Sequence, residues 1–192
     1  MKQGVKKIGD KGKQAVLNEL QQLHDRDVGE PVHKNAMGND KIKCTLRYLM
    51  FLKEKRDGSI KGRGCADGRP QREYITKEDS TSPTIAIEAL MLSSIIDVNK
   101  RRDFATCDIP GAFMQSKMEG KKVHFKLEGI MVDVMLKIDQ SKYKKYVVHE
   151  YGKPVLYILL TKALYGTIQA ALLFWKNLTG QLEEWGVQNQ SL

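Results

Sequence analysis

Lys162-Ala163-Leu164-Tyr165-Gly166-Thr167-Ile168-Gln169-Ala170 stands between two readable elements. Before it, residues 155–160 form an apolar run of strand length, and Tyr151-Gly152-Lys153-Pro154 turns that run back on a partner over 146–150. After it, Leu172, Leu173, Trp175, Leu178, Leu182 and Trp185 recur at helical intervals and predict an amphipathic helix from about Gln169 to Trp185. Tyr165-Gly166 breaks the chain between the two.

Working back toward the N-terminus, Asp108-Ile109-Pro110-Gly111-Ala112-Phe113 follows the short apolar run Phe104-Ala105-Thr106-Cys107, which reads as a buried strand ending in a carboxylate. A second strand is expected over 123–127, then a short helix and a Lys-rich loop over 130–145. Upstream, Ser82-Pro83 is a helix start, with Ser as N-cap and Pro at the first helical position. Residues 85–96 are apolar on nearly every side and predict a buried helix. Residues 44–53 and 60–65 read as a hairpin closed by Arg56-Asp57-Gly58-Ser59, whose Asp-Gly suits a tight primed turn; Gly62 and Gly64 weaken the return strand. Val16, Leu17, Leu20 and Leu23 mark a helix from Gln14 to about Asp25, after a Gly- and Lys-rich lead-in over 1–13 expected to be frayed or disordered. Helices and strands alternate without regular βαβ spacing, so the expected class is α+β with antiparallel pairing, residues 14–192 forming one unit.

The 192 residues are 41% hydrophobic and 29% charged, an ordinary globular balance. No apolar run is long enough to span a bilayer, and the basic start lacks the apolar core of a signal peptide. The expected setting is intracellular, cytoplasmic or nuclear, without a membrane partner. Cys44, Cys65 and Cys107 stand singly, and the four histidines show no metal-ligand spacing, which argues against a disulfide framework or a zinc site. The net charge of +9 is concentrated: between Lys41 and Arg72 there are ten basic residues and three acidic ones. Lys53, Lys55, Arg56, Lys61 and Arg63 gather at the hairpin tip, either as a clamp on phosphates or as a solvated turn.

An Asp at a strand end before a turn can hold a hard cation, with the freed Ile109 carbonyl as a second oxygen ligand. Taken singly, such an Asp is more often a turn former or cap than a metal ligand. The order of motifs adds to it. Lys61-Gly62-Arg63 after the Asp-Gly hairpin, Thr81-Ser82-Pro83-Thr84 before the apolar helix, Asp108 to Phe113 as D-x-x-x-A-F, Val123-His124-Phe125 with Leu127-Glu128-Gly129, and Lys162 to Ala170 followed by Phe174-Trp175 occur in sequence. In that order they resemble the reverse transcriptase domain of copia-type retrotransposon polyproteins, from about residue 15 onward.

The resemblance implies the fingers and part of the palm of a right-hand polymerase, with an incomplete antiparallel palm sheet and packed helices. It implies RNA-directed DNA polymerase activity by two-metal nucleotidyl transfer in the complete enzyme, with two Mg2+ ions. Asp108 becomes the catalytic, metal-binding carboxylate. Ile109, Ala112 and Phe113 lie at the nucleotide, where the Phe113 ring excludes a 2′-hydroxyl. Tyr165, Gly166 and Gln169 stand beside the nascent base pair, and Lys61 and Arg63 meet the phosphates. The implied partners are an RNA or DNA template-primer, deoxynucleoside triphosphates and the remainder of the Pol polyprotein.

The chain departs from the family at Ala171, where a Pro is usual, and at Pro110-Gly111, where Lys-Thr is common. It also contains no Asp-Asp pair, the motif that supplies the other catalytic carboxylates. One aspartate cannot offset the repulsion between two divalent cations, so the expectation is that this chain alone has no polymerase activity. The competing expectations are a non-catalytic nucleic-acid-binding remnant and a product without function.

Overall fold

The computed structural model describes residues 2–103 and 106–187, the first seven of them by backbone alone. The elements in chain order are α1 (Lys2–Asp25), β1 (Gly29–Val32), α2 (Asn39–Lys43), β2 (Leu46–Glu54), β3 (Ile60–Ala66), α3 (Ile87–Asn99), β4 (His124–Glu128), α4 (Ile130–Ile138), α5 (Gln140–Tyr143), β5 (Val148–Glu150), β6 (Lys153–Leu160) and α6 (Ala170–Glu184). This is an α+β chain. The helical backbone begins at Lys2 and not at Gln14, with a break at Gly9 where φ is +63°.

The six strands form one mixed sheet in the order β1-β6-β4-β2-β3, with β5 beside β1 on the same edge of β6. Pairing is antiparallel except between β2 and β4, which run parallel through Leu46↔Phe125 and Arg47↔Lys126. The expected antiparallel pairing holds at every junction but that one. β6 is an inner strand with three partners, β1, β4 and β5. Val155, Leu156, Tyr157 and Ile158 are all buried, because both sheet faces are covered along its length. On one face Leu156, Ile158 and Leu160 meet Val16, Leu20 and Leu23 of α1 and Met131, Val132 and Met135 of α4. On the other, Val155 and Tyr157 pack with Met37 and Ile42.

The two hairpin turns differ from the sequence expectation in an informative way. The β5–β6 turn is the tight primed one: Glu150 pairs with Lys153, and both intervening residues have positive φ, Tyr151 at +49° and Gly152 at +72°. The β2–β3 turn is longer. Gly58 N–H donates to the Lys55 carbonyl at 3.0 Å and Lys55 N–H to that of Ser59 at 2.8 Å, with only Gly58 at positive φ. That is a type I turn followed by a left-handed glycine, the usual three-residue solution. The Asp57 carboxylate accepts from the Ser59 amide at 2.9 Å and its hydroxyl at 2.6 Å, bonds that hold its pKa below the ordinary value.

Three expectations are overturned. Ser82-Pro83 does not start the apolar helix: α3 begins at Ile87 behind Ala86, whose extended backbone supplies no side-chain cap. Nor is that helix buried. Ile87, Leu90, Met91, Leu92 and Ile95 are between 51% and 63% exposed, and no α3 residue is buried. The physical reason is occupancy: α1 and α4 cover one sheet face and the Met37–Ile42 segment the other, while irregular chain flanks α3 at both ends. The strand expected at Phe104–Cys107 also fails where it is described. Thr106 and Cys107 are irregular and exposed; Phe104 and Ala105 lie outside the described residues.

Candidate nucleotide and nucleic-acid site

The chain leaving β6 is tied down at every step. Thr161 and Lys162 amides donate to the Val28 carbonyl at 3.0 and 3.2 Å, and Lys162 Nζ donates to the Arg26 carbonyl at 2.6 Å. Met118 N–H donates to Thr161 O at 2.9 Å and Ala163 N–H to Ser116 O at 2.8 Å. The segment after Asp108 is therefore laid antiparallel along the segment before Tyr165. One residue further, Ala66 N–H at the end of β3 donates to Tyr165 O at 2.7 Å. Three stretches far apart in sequence meet at Tyr165-Gly166.

That meeting brings Phe113 onto Tyr165, with ring centroids 4.5 Å apart at 48°, and onto Phe174 at 6.1 Å. The first contact is tilted and the second edge-on, within the centroid range of favourable aromatic pairs. Ala163, Ala170 and Leu173 are buried beneath them. Tyr165 remains 39% exposed, so the cluster presents one aromatic face outward. Gly166, at φ +88°, lies against the Ala66 backbone: a Cβ there would stand 2.0 Å from the Ala66 carbonyl oxygen. Gln169 sits at the start of α6 with its Oε1 buried and without a partner among the described residues.

Gln71 was not singled out from sequence, and it is fully buried. Its Oε1 accepts from Ile168 N–H at 3.0 Å, while its Nε2 has no partner among the described residues. It links the loop after β3 to the Tyr165–Gln169 turn. Nothing in local patterning marks it, because a lone Gln in a polar stretch reads as surface. Gln71→Ala is expected to lower stability by about 2–4 kcal/mol, through an unpaired amide and a cavity. Gln71→Met keeps the volume and should recover part of that loss. Urea denaturation of both variants checks it.

The remaining expected residues are placed differently. Asp108 is exposed on irregular chain, and Ile109 is half-buried beside it. Ala112 precedes a single 3-10 turn over Phe113–Gln115. Two magnesium ions require several hard oxygen ligands. Among the described residues no three His, Cys, Asp or Glu side chains come together, and Asp108 stands as one exposed carboxylate. The described residues do not fit a two-ion centre.

Lys61 and Arg63 belong to the β2–β3 hairpin, and the register explains its two faces. Tyr48, Met50 and Leu52 with Gly62 and Gly64 face α1; Phe51, Lys53, Lys61 and Arg63 face away from it. The two glycines are required by close approach. A Cβ at Gly62 would be 2.7 Å from the Ala15 carbonyl, and one at Gly64 would overlap the Tyr48 ring. Gly64 N–H donates to Glu19 Oε1 at 2.7 Å, fastening the hairpin to α1. Burial, then the nearby Glu19 carboxylate, pushes the Tyr48 phenol far above its usual pKa. The glycines that weaken the strand locally thus allow α1 to dock on it.

Two clefts border these elements. The larger, about 630 Å3, runs along β1 and residues 142–146, contains none of the expected site residues, and has its Lys142 paired with Asp27 at 3.2 Å. The second, about 490 Å3, lies on the outer face of the hairpin and includes Lys61 and Arg63. The second has the chemistry of an anion site; the first has no matching excess of charge. No helix among the described residues is long and apolar enough to cross a membrane. No family model, curated protein or solved structure matches this chain.

Proposed function

We propose that this chain is part of an RNA-directed DNA polymerase of the copia retrotransposon type, holding template-primer on the basic hairpin and the incoming deoxynucleotide near Phe113 and Tyr165. The observation that carries the reading is the tilted ring contact of Phe113 with Tyr165, 52 positions apart, made through the pairing of residues 116–118 with 161–163. Two motifs that resemble the family's nucleotide-site segments are thereby neighbours in space. In this reading Gly166 and Gln169 shape the floor of the site, and Lys61 and Arg63 supply positive charge for phosphates. Mg2+ would supply charge neutralisation at the transferred phosphate. Asp108 is the one residue here offered to it, so the chemical step needs carboxylates beyond those described.

A second reading, a nucleic-acid-binding remnant without nucleotide chemistry, is favoured by one observation. Lys53, Lys55, Arg56, Lys61 and Arg63 make no ion pair among the described residues, although eight such pairs occur elsewhere. The two readings part on the nucleotide. Binding of a labelled template-primer should weaken steeply with salt, and joint Ala replacement of Lys55, Arg56, Lys61 and Arg63 should flatten the slope by up to about 3–4 units. In the polymerase reading a deoxynucleoside triphosphate complementary to the template tightens the complex, and Tyr165→Ala removes roughly tenfold of that gain. Salt-dependent binding with no response to any nucleotide leaves the remnant reading. Binding without salt dependence sinks both.

A further inference from the structure

Phe51 is 57% exposed in the middle of β2, on the face opposite to Tyr48, Met50 and Leu52 and shared with the half-buried Leu49. It pairs directly with Arg63, and two positions along the same face Lys53 pairs with Lys61. Cross-strand partners lie about 5 Å apart and positions two residues apart about 7 Å. The ring therefore has three cations beside it on one face, Arg63 opposite and Lys53 and Lys61 toward the turn, with Leu49 and Cys65 on its other side. Lys55 and Arg56 at the turn extend the same cleft, with Glu54 as its one acid. The inner face cannot accept Phe51, because α1 lies against Gly62.

We propose that this face is a binding site for unpaired nucleic acid, with Phe51 as a stacking platform for one base and the surrounding cations as phosphate contacts. This rests on the reading that the chain holds nucleic acid, and it specifies which form. In a duplex each base has both π faces covered by its neighbours, so an aromatic ring on a flat strand pair has nothing to stack on. An unpaired base offers a free face, and stacking on an aromatic side chain tolerates any base. A cleft of about 490 Å3 is within the volume range of small-ligand pockets, so it suits one nucleotide unit. The flanking charges then fix the backbone on either side. Phe51 supplies preference for single strands; the cations supply affinity and salt dependence.

The experiment is fluorescence anisotropy of the full chain with a labelled 12-nucleotide single strand, as DNA and as RNA, and with the matching duplexes, across a salt series. The expected result is tighter binding of the single strands. Phe51→Ala should weaken single-strand binding about five- to a hundredfold, leaving duplex affinity and the salt slope unchanged. Phe51→Trp should retain or improve it. Ala at Lys53, Lys61 and Arg63 together should reduce the single-strand slope by about 2. Equal loss for single strand and duplex on Phe51→Ala, or a loss under twofold, overturns the stacking role. If the triple cation variant still lowers the slope in that case, the nucleic-acid reading survives without this inference. If no oligonucleotide binds, both fail.

Discussion

Gly166→Ala is expected to cost about 3–5 kcal/mol of folding stability, enough to leave a substantial unfolded fraction in a protein of ordinary stability. Two penalties coincide at this position. Its φ of +88° is outside the range an L side chain adopts comfortably. The added Cβ would stand 2.0 Å from the Ala66 carbonyl oxygen and 3.0 Å from two further Ala66 backbone atoms. Backbone on a paired strand cannot swing aside as a long side chain does, so the Tyr165–Gln169 turn would have to lift off β3. That would break the Ala66 N–H bond to Tyr165 O and the Gln71 bond to Ile168 N–H together. Gly152→Ala separates the two causes: its φ is +72° but nothing lies within 4 Å of its Cβ position, so only the backbone strain of about 1 kcal/mol applies. Urea denaturation of the pair should show a difference of at least about 2 kcal/mol. Equal losses would mean that Gly166 is not pressed against β3.

The contrast between those glycines bears on what could be read before the structure. Local chemistry was legible: the hairpin pairings, the apolar strand at β6, the α6 helix and the α+β class all follow from short-range patterns. What was not legible depends on which distant surface arrives. Gly62 and Gly64 look like strand weaknesses until α1 is seen docked on them. Gln71 is a polar residue in a polar stretch until the Tyr165–Gln169 turn buries it. Phe51 looks like another core residue of β2 until register places it opposite Arg63 on the outer face. Phe113 and Tyr165, which the resemblance alone implies near a nucleotide, are 52 positions apart, and no local pattern announces the contact between their rings. Asp108, by contrast, sits on irregular exposed chain, as do Thr106 and Cys107 just before it.

The apolar helix α3 sets the largest conflict between sequence and fold, and it predicts the behaviour of the protein in solution. A helix apolar on all sides is ordinarily enclosed, yet Ile87, Met91, Ile95 and Val98 are 60% exposed or more. With Leu90, Leu92 and Ile96 also open, the continuous apolar surface exceeds roughly 400 Å2, beyond what a monomer usually leaves in water. The purified chain is therefore expected to self-associate at micromolar concentration and to bind a dye specific for apolar surface. Replacing Leu92 by Glu and Ile95 by Lys should abolish most of that association by sedimentation velocity. The same double change should alter the unfolding free energy from urea denaturation by no more than about 0.5 kcal/mol per site, because exposed side chains contribute little packing. If α3 were enclosed within the monomer, each replacement would instead leave a buried charge and cost several kcal/mol. The two outcomes differ by more than the error of a denaturation curve, so one double variant decides whether this helix is surface or core.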